Sequence, residues 1–222
     1  HFFFTMYLFF DTETTGLPKN WKAPVSDTDN WPRLVQLAWE LHDKEGNTIA
    51  TGNEIVRPQG FLIPADSARV HGITQERALA EGVPLSDVLA RFTGALERAH
   101  TLVAHNMSFD EKIVGAEFLR TGGRDVVAEK EKICTMLSSI DFCAIDGPRG
   151  YKWPKLAELH RTLFDADFAE AHNAAADIRA TARCFWELGR RGVITLDFPD
   201  TPTGAGKCGP KKNPDQLGLF SQ

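Results

Sequence analysis

The apolar positions along the chain fall into runs of two kinds. "YLFFD" (residues 7–11) is continuous and reads as a strand buried on both faces. "LVQLAWELHD" (residues 34–43) alternates, with Leu34, Gln36, Ala38 and Glu40 on one side and Val35, Leu37, Trp39 and Leu41 on the other, so it predicts a half-buried strand. A turn in "KEGNT" and a third strand in "IATGNEIVRP" complete an antiparallel meander. Beyond it the period changes. Short helices are predicted in "SARVHGIT" and "TQERALAEG", and a stronger one in "PLSDVLARFTGALERAH", where Val88, Leu89, Phe92 and Leu96 share a side. "TLVAHN" reads as a strand, "SFDEKIVGAEFLRTGG" as a helix closed by glycines, "KICTM" as a weak fifth strand and "KLAELHRTLF" as a helix. In "HNAAADIRATARCFWELGRRG", Ala174, Ile178, Ala182, Phe185 and Leu188 recur at helical spacing. Strands first, then strands alternating with helices, predict an α/β fold: a mixed sheet with helices on both faces.

After about Phe198 periodicity stops. "PDTPTGAGKCGPKKNPD" is Pro, Gly, Lys and Asp, and residues 199–215 read as a flexible linker between a domain over residues 6–198 and a short peptide, residues 216–222. Met6 directly precedes the first strand, so the native start is expected there, with residues 1–5 a foreign remnant. The 222 residues suffice for one sizeable core, and the apolar share of 42% argues against global disorder. A net charge of −5 is unusual for a protein that grips nucleic acid by bulk charge, so any polyanion must meet local cations or metal ions. Cys134, Cys143, Cys184 and Cys208 form no C-x-x-C pair and read as free thiols in a reducing, cytoplasmic compartment. No apolar run reaches the length of about 18 residues that spans a bilayer.

The chemistry concentrates where the first strand ends. In "FFDTETTGL", Asp11 and Glu13 are two apart, so on a strand they face one side, roughly 7 Å apart. Like charges so placed repel and raise each other's pKa, and a cation between them relieves this. Oxygen-only ligands suit Mg²⁺ or Mn²⁺. Asp110 begins the helix after "TLVAH", and Asp177 follows His172 by five residues in "HNAAAD", where alanines thin one helix face. Four acids and a histidine at strand ends and helix starts suit phosphodiester cleavage by two divalent ions, with the histidine taking the proton of water.

These segments resemble the DEDDh group of 3′→5′ exonucleases in the ribonuclease H-like superfamily, and most nearly the proofreading epsilon-subunit type of bacterial DNA polymerase III. "FDTETTGL", "HNMSFD" and "HNAAAD" are similar to its three motifs, and "VHGIT" and "ICTM" to its connecting segments, over about residues 6–190. The resemblance implies a five-stranded mixed sheet with the first three strands antiparallel. It implies two divalent cations held by Asp11, Glu13, Asp110 and Asp177, with His172 as general base. It implies substrate contacts at Thr14, Gly16, Leu17, His71, Asn106 and Phe109, on single-stranded or mispaired DNA 3′ ends, with RNA as the alternative substrate.

The tail holds two candidate motifs. "TGAGKCGP" lacks a phosphate loop's first glycine, having Thr201 there, and its Ser/Thr, having Cys208. "QLGLF" resembles bacterial sliding-clamp-binding peptides: Gln216 would hydrogen-bond while Leu217, Leu219 and Phe220 fill an apolar pocket. With the chain ending on that peptide, a free-standing or repair exonuclease is expected rather than a core replicase subunit, and a polymerase partner stays open. Two alternatives stand beside this reading. One is a module that chiefly rides the clamp. The other is a phosphatase of the haloacid dehalogenase type, which would need Asp where Glu13 stands.

Overall fold

The protein is represented by a computed structural model, which describes residues 5–168 and 174–196. The strands are β1 (Tyr7–Thr14), β2 (Leu34–His42), β3 (Thr48–Ile55), β4 (Thr101–Ala104) and β5 (Glu131–Cys134), in the order β3-β2-β1-β4-β5. β1 pairs antiparallel with β2, β2 with β3 likewise, while β4 and β5 run parallel to β1. Helices α1 (Ala65–His71), α2 (Gln75–Glu81) and α3 (Leu85–Arg98) precede β4, and α4 (Met107–Arg120) follows it. After β5 come two single-turn helices, α5 (Thr135–Ser138) and α6 (Ile140–Cys143), and a minimal hairpin of β6 (Asp146–Gly147) and β7 (Gly150–Tyr151). The chain continues through α7 (Leu156–Phe164) and α8 (Ala174–Arg190). The expected mixed sheet, with its first three strands antiparallel and helices on both faces, is the fold observed.

β1 explains the sandwich. Its even residues Leu8 and Phe10 join the core built with α3 and α4, where the Phe10 ring lies 5.6 Å from Phe92. Its odd residues Tyr7 and Phe9 join the opposite core with α7 and α8, each about 5 Å from Phe185 (5.1 and 5.2 Å). A strand covered on both sides needs apolar residues at every position, and "YLFF" supplies them. The α8 residues picked out by helical spacing, Ala174, Ile178, Ala182, Phe185 and Leu188, are all buried.

β2 departs from its pattern. Alternation predicted one wet face, yet only Glu40 is half-buried and the rest of the strand is buried. The reason is its place: β2 lies between β1 and β3, and α8 packs over the side that carries Gln36 and Ala38. Gln36 tolerates burial because its Nε2 donates to Asn53 Oδ1 at 2.6 Å. On the other side Trp39 lies flat over β3 at Gly52, where a Cβ would sit 2.0 Å from the indole, so no side chain fits there. The two-rung hairpin and the turns α5 and α6 had no periodicity to announce them.

The long connection between β1 and β2 is held from inside. Glu117 of α4 is fully buried; its Oε1 accepts from Arg33 Nε at 2.9 Å and from the Leu34 N–H at 2.9 Å. Arg120 Nη1 lies 2.8 Å from the same oxygen but without hydrogen-bond alignment, while its Nη2 donates to the carbonyls of Thr28 and Trp31. Arg33 in turn brackets Thr15: the Thr15 N–H donates to Arg33 O and the Arg33 N–H to Thr15 Oγ1, both at 2.9 Å. Cys134, Cys143 and Cys184 are free thiols, as expected, and Cys208 lies outside the described residues. Among the described residues no helix is long and apolar enough to cross a membrane.

Candidate active site

The strand geometry of β1 runs through the acids to Thr14, so Asp11 and Glu13 share the face of Tyr7 and Phe9, the face covered by α8. Asp177 stands in the first turn of α8. Asp11, Glu13 and Asp177 each offer a carboxylate oxygen, and these three oxygens lie within 4.8 Å of one another. Thr12, between the two strand acids, points the opposite way and meets Asp110, which enters from the first turn of α4. Asp110 Oδ1 accepts from the Thr12 N–H at 3.0 Å and from Thr12 Oγ1 at 2.7 Å. One strand thus presents two acids to α8 and fixes a third carboxylate from α4.

Electrostatics follow from this crowding. Burial raises Asp11 well above the usual carboxylate range, and the charges of Asp110, Glu13 and Asp177 add to the rise. Glu13 is pushed up to about 8, first by burial and then by Asp177 and Asp110. Asp110 is raised to about 7 by burial, against the opposing pull of its bonds from Thr12. Desolvation is thus a larger cause of these shifts than the mutual repulsion of the acids. Carboxylates that are this reluctant to ionise, gathered within one contact distance, form a donor set suited to a hard divalent cation.

Beside the acids lies a cleft of about 350 Å³, lined by Thr14, Gly16, Leu17, His71 and Phe109 among others. The structure therefore brings five of the six expected substrate residues to one place. Leu17 is 73% exposed, so it is no core residue. Gly16, at φ 148°, turns the chain away from β1. His71 Nδ1 accepts from the Ile73 N–H at 3.1 Å, which leaves the proton on Nε2. That atom faces the Thr14 carbonyl without completing a hydrogen bond, and burial holds the imidazole below its ordinary pKa. Asn106 is the sixth and does not line this cleft; it occupies the left-handed position (φ 74°) between β4 and α4. Thr12, Ser67 and Val70 also line it and had not been singled out. Ser67 and Val70 lie on the same short helix as His71, which is the one signal that pointed to them. His172 lies outside the described residues, as do Gln216, Leu217, Leu219 and Phe220 and the linker before them.

Comparison with known proteins places this geometry. The model of an exonuclease family (RNase_T: Exonuclease) matches residues 8–185, a span that contains all four acids and the cleft. The zinc-bound form of an E. coli ExoI–ssDNA complex superposes with a TM-score of 0.65 at 21% identity, covering 84% of this chain and 41% of that one. E. coli exonuclease I in complex with a dA16 oligonucleotide gives 0.65 at 19%, with the same coverage. An ExoI/SSB-Ct complex gives 0.66 at 18%, also covering 84% and 41%. At such identities the likeness is one of fold, and the chain spans about two-fifths of the length of these proteins (41%). No curated protein sequence matches the chain. With the family model covering most of the sequence, the chain belongs to the exonuclease (RNase_T) family.

Proposed function

We propose that this chain is a metal-dependent 3′→5′ exonuclease that removes nucleotides from single-stranded or frayed DNA ends. The observation that carries the reading is the convergence of Asp11, Glu13 and Asp177 within 4.8 Å, with Asp110 locked behind Thr12. Asp11, Glu13 and Asp177 would hold one divalent ion, Mg²⁺ or Mn²⁺, and Asp11 with Asp110 would face a second. When bound, such ions lower the pKa of water and neutralise charge on the phosphodiester. The protein's own groups do the rest. Thr14 and Gly16 meet the 3′-terminal nucleotide with backbone groups, Leu17 wedges against its base, and Phe109 offers a ring for stacking. The His71 ring forms part of the cleft wall, with its Nε2–H turned toward the Thr14 carbonyl. His172, five residues before Asp177, takes the proton of the attacking water. Single-stranded DNA as substrate is also supported by the oligonucleotides in the exonuclease I complexes. Replication proofreading or repair in the cytoplasm, and clamp binding through Gln216–Phe220 on the 199–215 tether, belong to the same reading on sequence grounds.

Digestion of a 5′-labelled oligonucleotide tests it. Product must form with Mg²⁺ or Mn²⁺ and vanish with chelator or in Asp11→Ala. A fully active Asp11→Ala protein overturns the assignment, and faster loss of a matched RNA strand changes the substrate from DNA to RNA.

A further inference from the structure

Residues 146–155 carry three cations, Arg149, Lys152 and Lys155, against one acid, Asp146, in a chain of net charge −5. They include the β6–β7 hairpin, which has no part in the acid corner or its cleft. Tyr151 (51% exposed) and Trp153 (64%) are the most exposed aromatic side chains among the described residues. With Arg149 they line a shallow cleft of about 680 Å³. A hairpin of two-residue strands cannot hold itself in water, and here its base is bolted down. The Lys152 N–H donates to Ile145 O at 2.9 Å, and Lys152 Nζ pairs with Glu158 at 2.5 Å.

The third bolt ties the hairpin to the site. His105 Nε2 lies 3.0 Å from Pro154 O, and His105 Nδ1 lies 3.0 Å from Thr135 Oγ1. A carbonyl only accepts, so Nε2 carries the proton and Nδ1 accepts from the threonine hydroxyl. His105 directly follows β4, and β4 runs beside β1 with Val103 opposite Phe9. Continuing that register sets His105 level with Asp11. The hairpin is therefore anchored one strand away from the acids, at the same end of the parallel strands. Its base is rigid and its tip is bare: Lys152 is held by Glu158, whereas Arg149 makes no contact with an acid among the described residues.

We infer that the β6–β7 hairpin is a second binding site for single-stranded nucleic acid, stacking bases on Trp153 and Tyr151 and meeting a backbone phosphate at Arg149, upstream of the 3′ end. The inference rests on the exonuclease reading above. Two exposed rings, Tyr151 and Trp153, beside Arg149, a cation that pairs with no acid among the described residues, match a polymer whose every unit offers a flat base and a phosphate. Stacking is indifferent to sequence, which suits an enzyme that must advance one nucleotide at a time.

The test compares two substrates in Mn²⁺. One is an oligothymidylate of about 15 nucleotides, long enough to reach a second site. The other is the p-nitrophenyl ester of thymidine 5′-monophosphate, which reaches only the acid corner. In Trp153→Ala the ratio of KM values, oligonucleotide over ester, rises about tenfold; Arg149→Ala raises it less, and Trp153→Phe restores most of the loss. An unchanged ratio with both substrates cleaved overturns the hairpin site, as would a protein-docking role for Trp153, and leaves the exonuclease reading intact. Equal losses on both substrates make Trp153 a support of the fold and also overturn it. If the unaltered protein cleaves neither substrate, the exonuclease reading fails and the inference falls with it.

Discussion

Glu13 and Glu117 are the same residue type at the same end of the protein, one half-buried and one fully buried, and they have opposite company. Glu117 faces Arg33, Arg120 and the Leu34 N–H. Glu13 faces Asp11, Asp177 and Asp110 and is pushed up to about 8. The first arrangement is closed: charge is matched within the protein, and its product is a fixed loop between β1 and β2. The second is open, because the missing positive charge must come from outside. A buried carboxylate is a structural brace or a reactive centre according to what it faces, and burial alone does not distinguish the two.

Exchanging the consequences of the two glutamates is the strongest way to break this comparison. Glu13→Gln should cut nuclease turnover by at least about a hundredfold, and its melting temperature in chelator should not fall, since a repulsive charge is gone. Glu117→Gln should instead cost about 3 kcal/mol in urea unfolding, because it removes the buried carboxylate charge that faces two guanidinium groups. If Glu13→Gln proved the destabilised protein and Glu117→Gln the inactive but stable one, the contrast would be wrong.

A second measurement sharpens it through pH. Glu13 and Asp110 have folded-state pKa values raised to about 8 and about 7, above the ordinary carboxylate range they return to on unfolding. Between those values the folded state binds more protons than the unfolded one, so stability falls as pH rises. In chelator the melting temperature should therefore drop from pH 5 to pH 8. Mg²⁺ or Mn²⁺ should abolish that drop, because it stabilises the ionised acids. A flat melting temperature in chelator would remove the electrostatic account of the site.

The smallest effect concerns the brace behind Asp110. Thr12→Val keeps shape and the backbone N–H but deletes the 2.7 Å hydroxyl bond. Turnover should fall about tenfold with binding of oligonucleotide little changed; an unaltered rate would mean that the backbone N–H alone positions Asp110.

Much of this architecture was legible because it is periodic. The unbroken "YLFF" predicted a strand covered twice, and the alanine and phenylalanine positions of α8 predicted its buried face. Asp11 and Glu13 were legible as a pair because strand geometry, a local rule, extends through them. Gln36 misled because alternation records polarity and not coverage; its partner Asn53 is on another strand. The Thr12–Asp110 bond spans 98 residues and the Glu117–Leu34 bond 83, and no local pattern announces contacts of that kind. The hairpin was illegible for the opposite reason: two residues per strand are too few to show a period.

β1 places its acids on odd positions and their brace, Thr12, on an even one, with a helix layer waiting on each side. The site therefore has a parity. One residue inserted between Tyr7 and Phe10 would turn Asp11 and Glu13 toward α4 and Thr12 toward α8, and every contact around the acids would be lost at once. Two inserted residues would keep the acids on the α8 side of the sheet but slide them about 7 Å along the strand, out of register with Asp177. In this stretch only an even change of length keeps the acids on their own side of the sheet, a counting rule set by the pleat rather than by the identity of any residue.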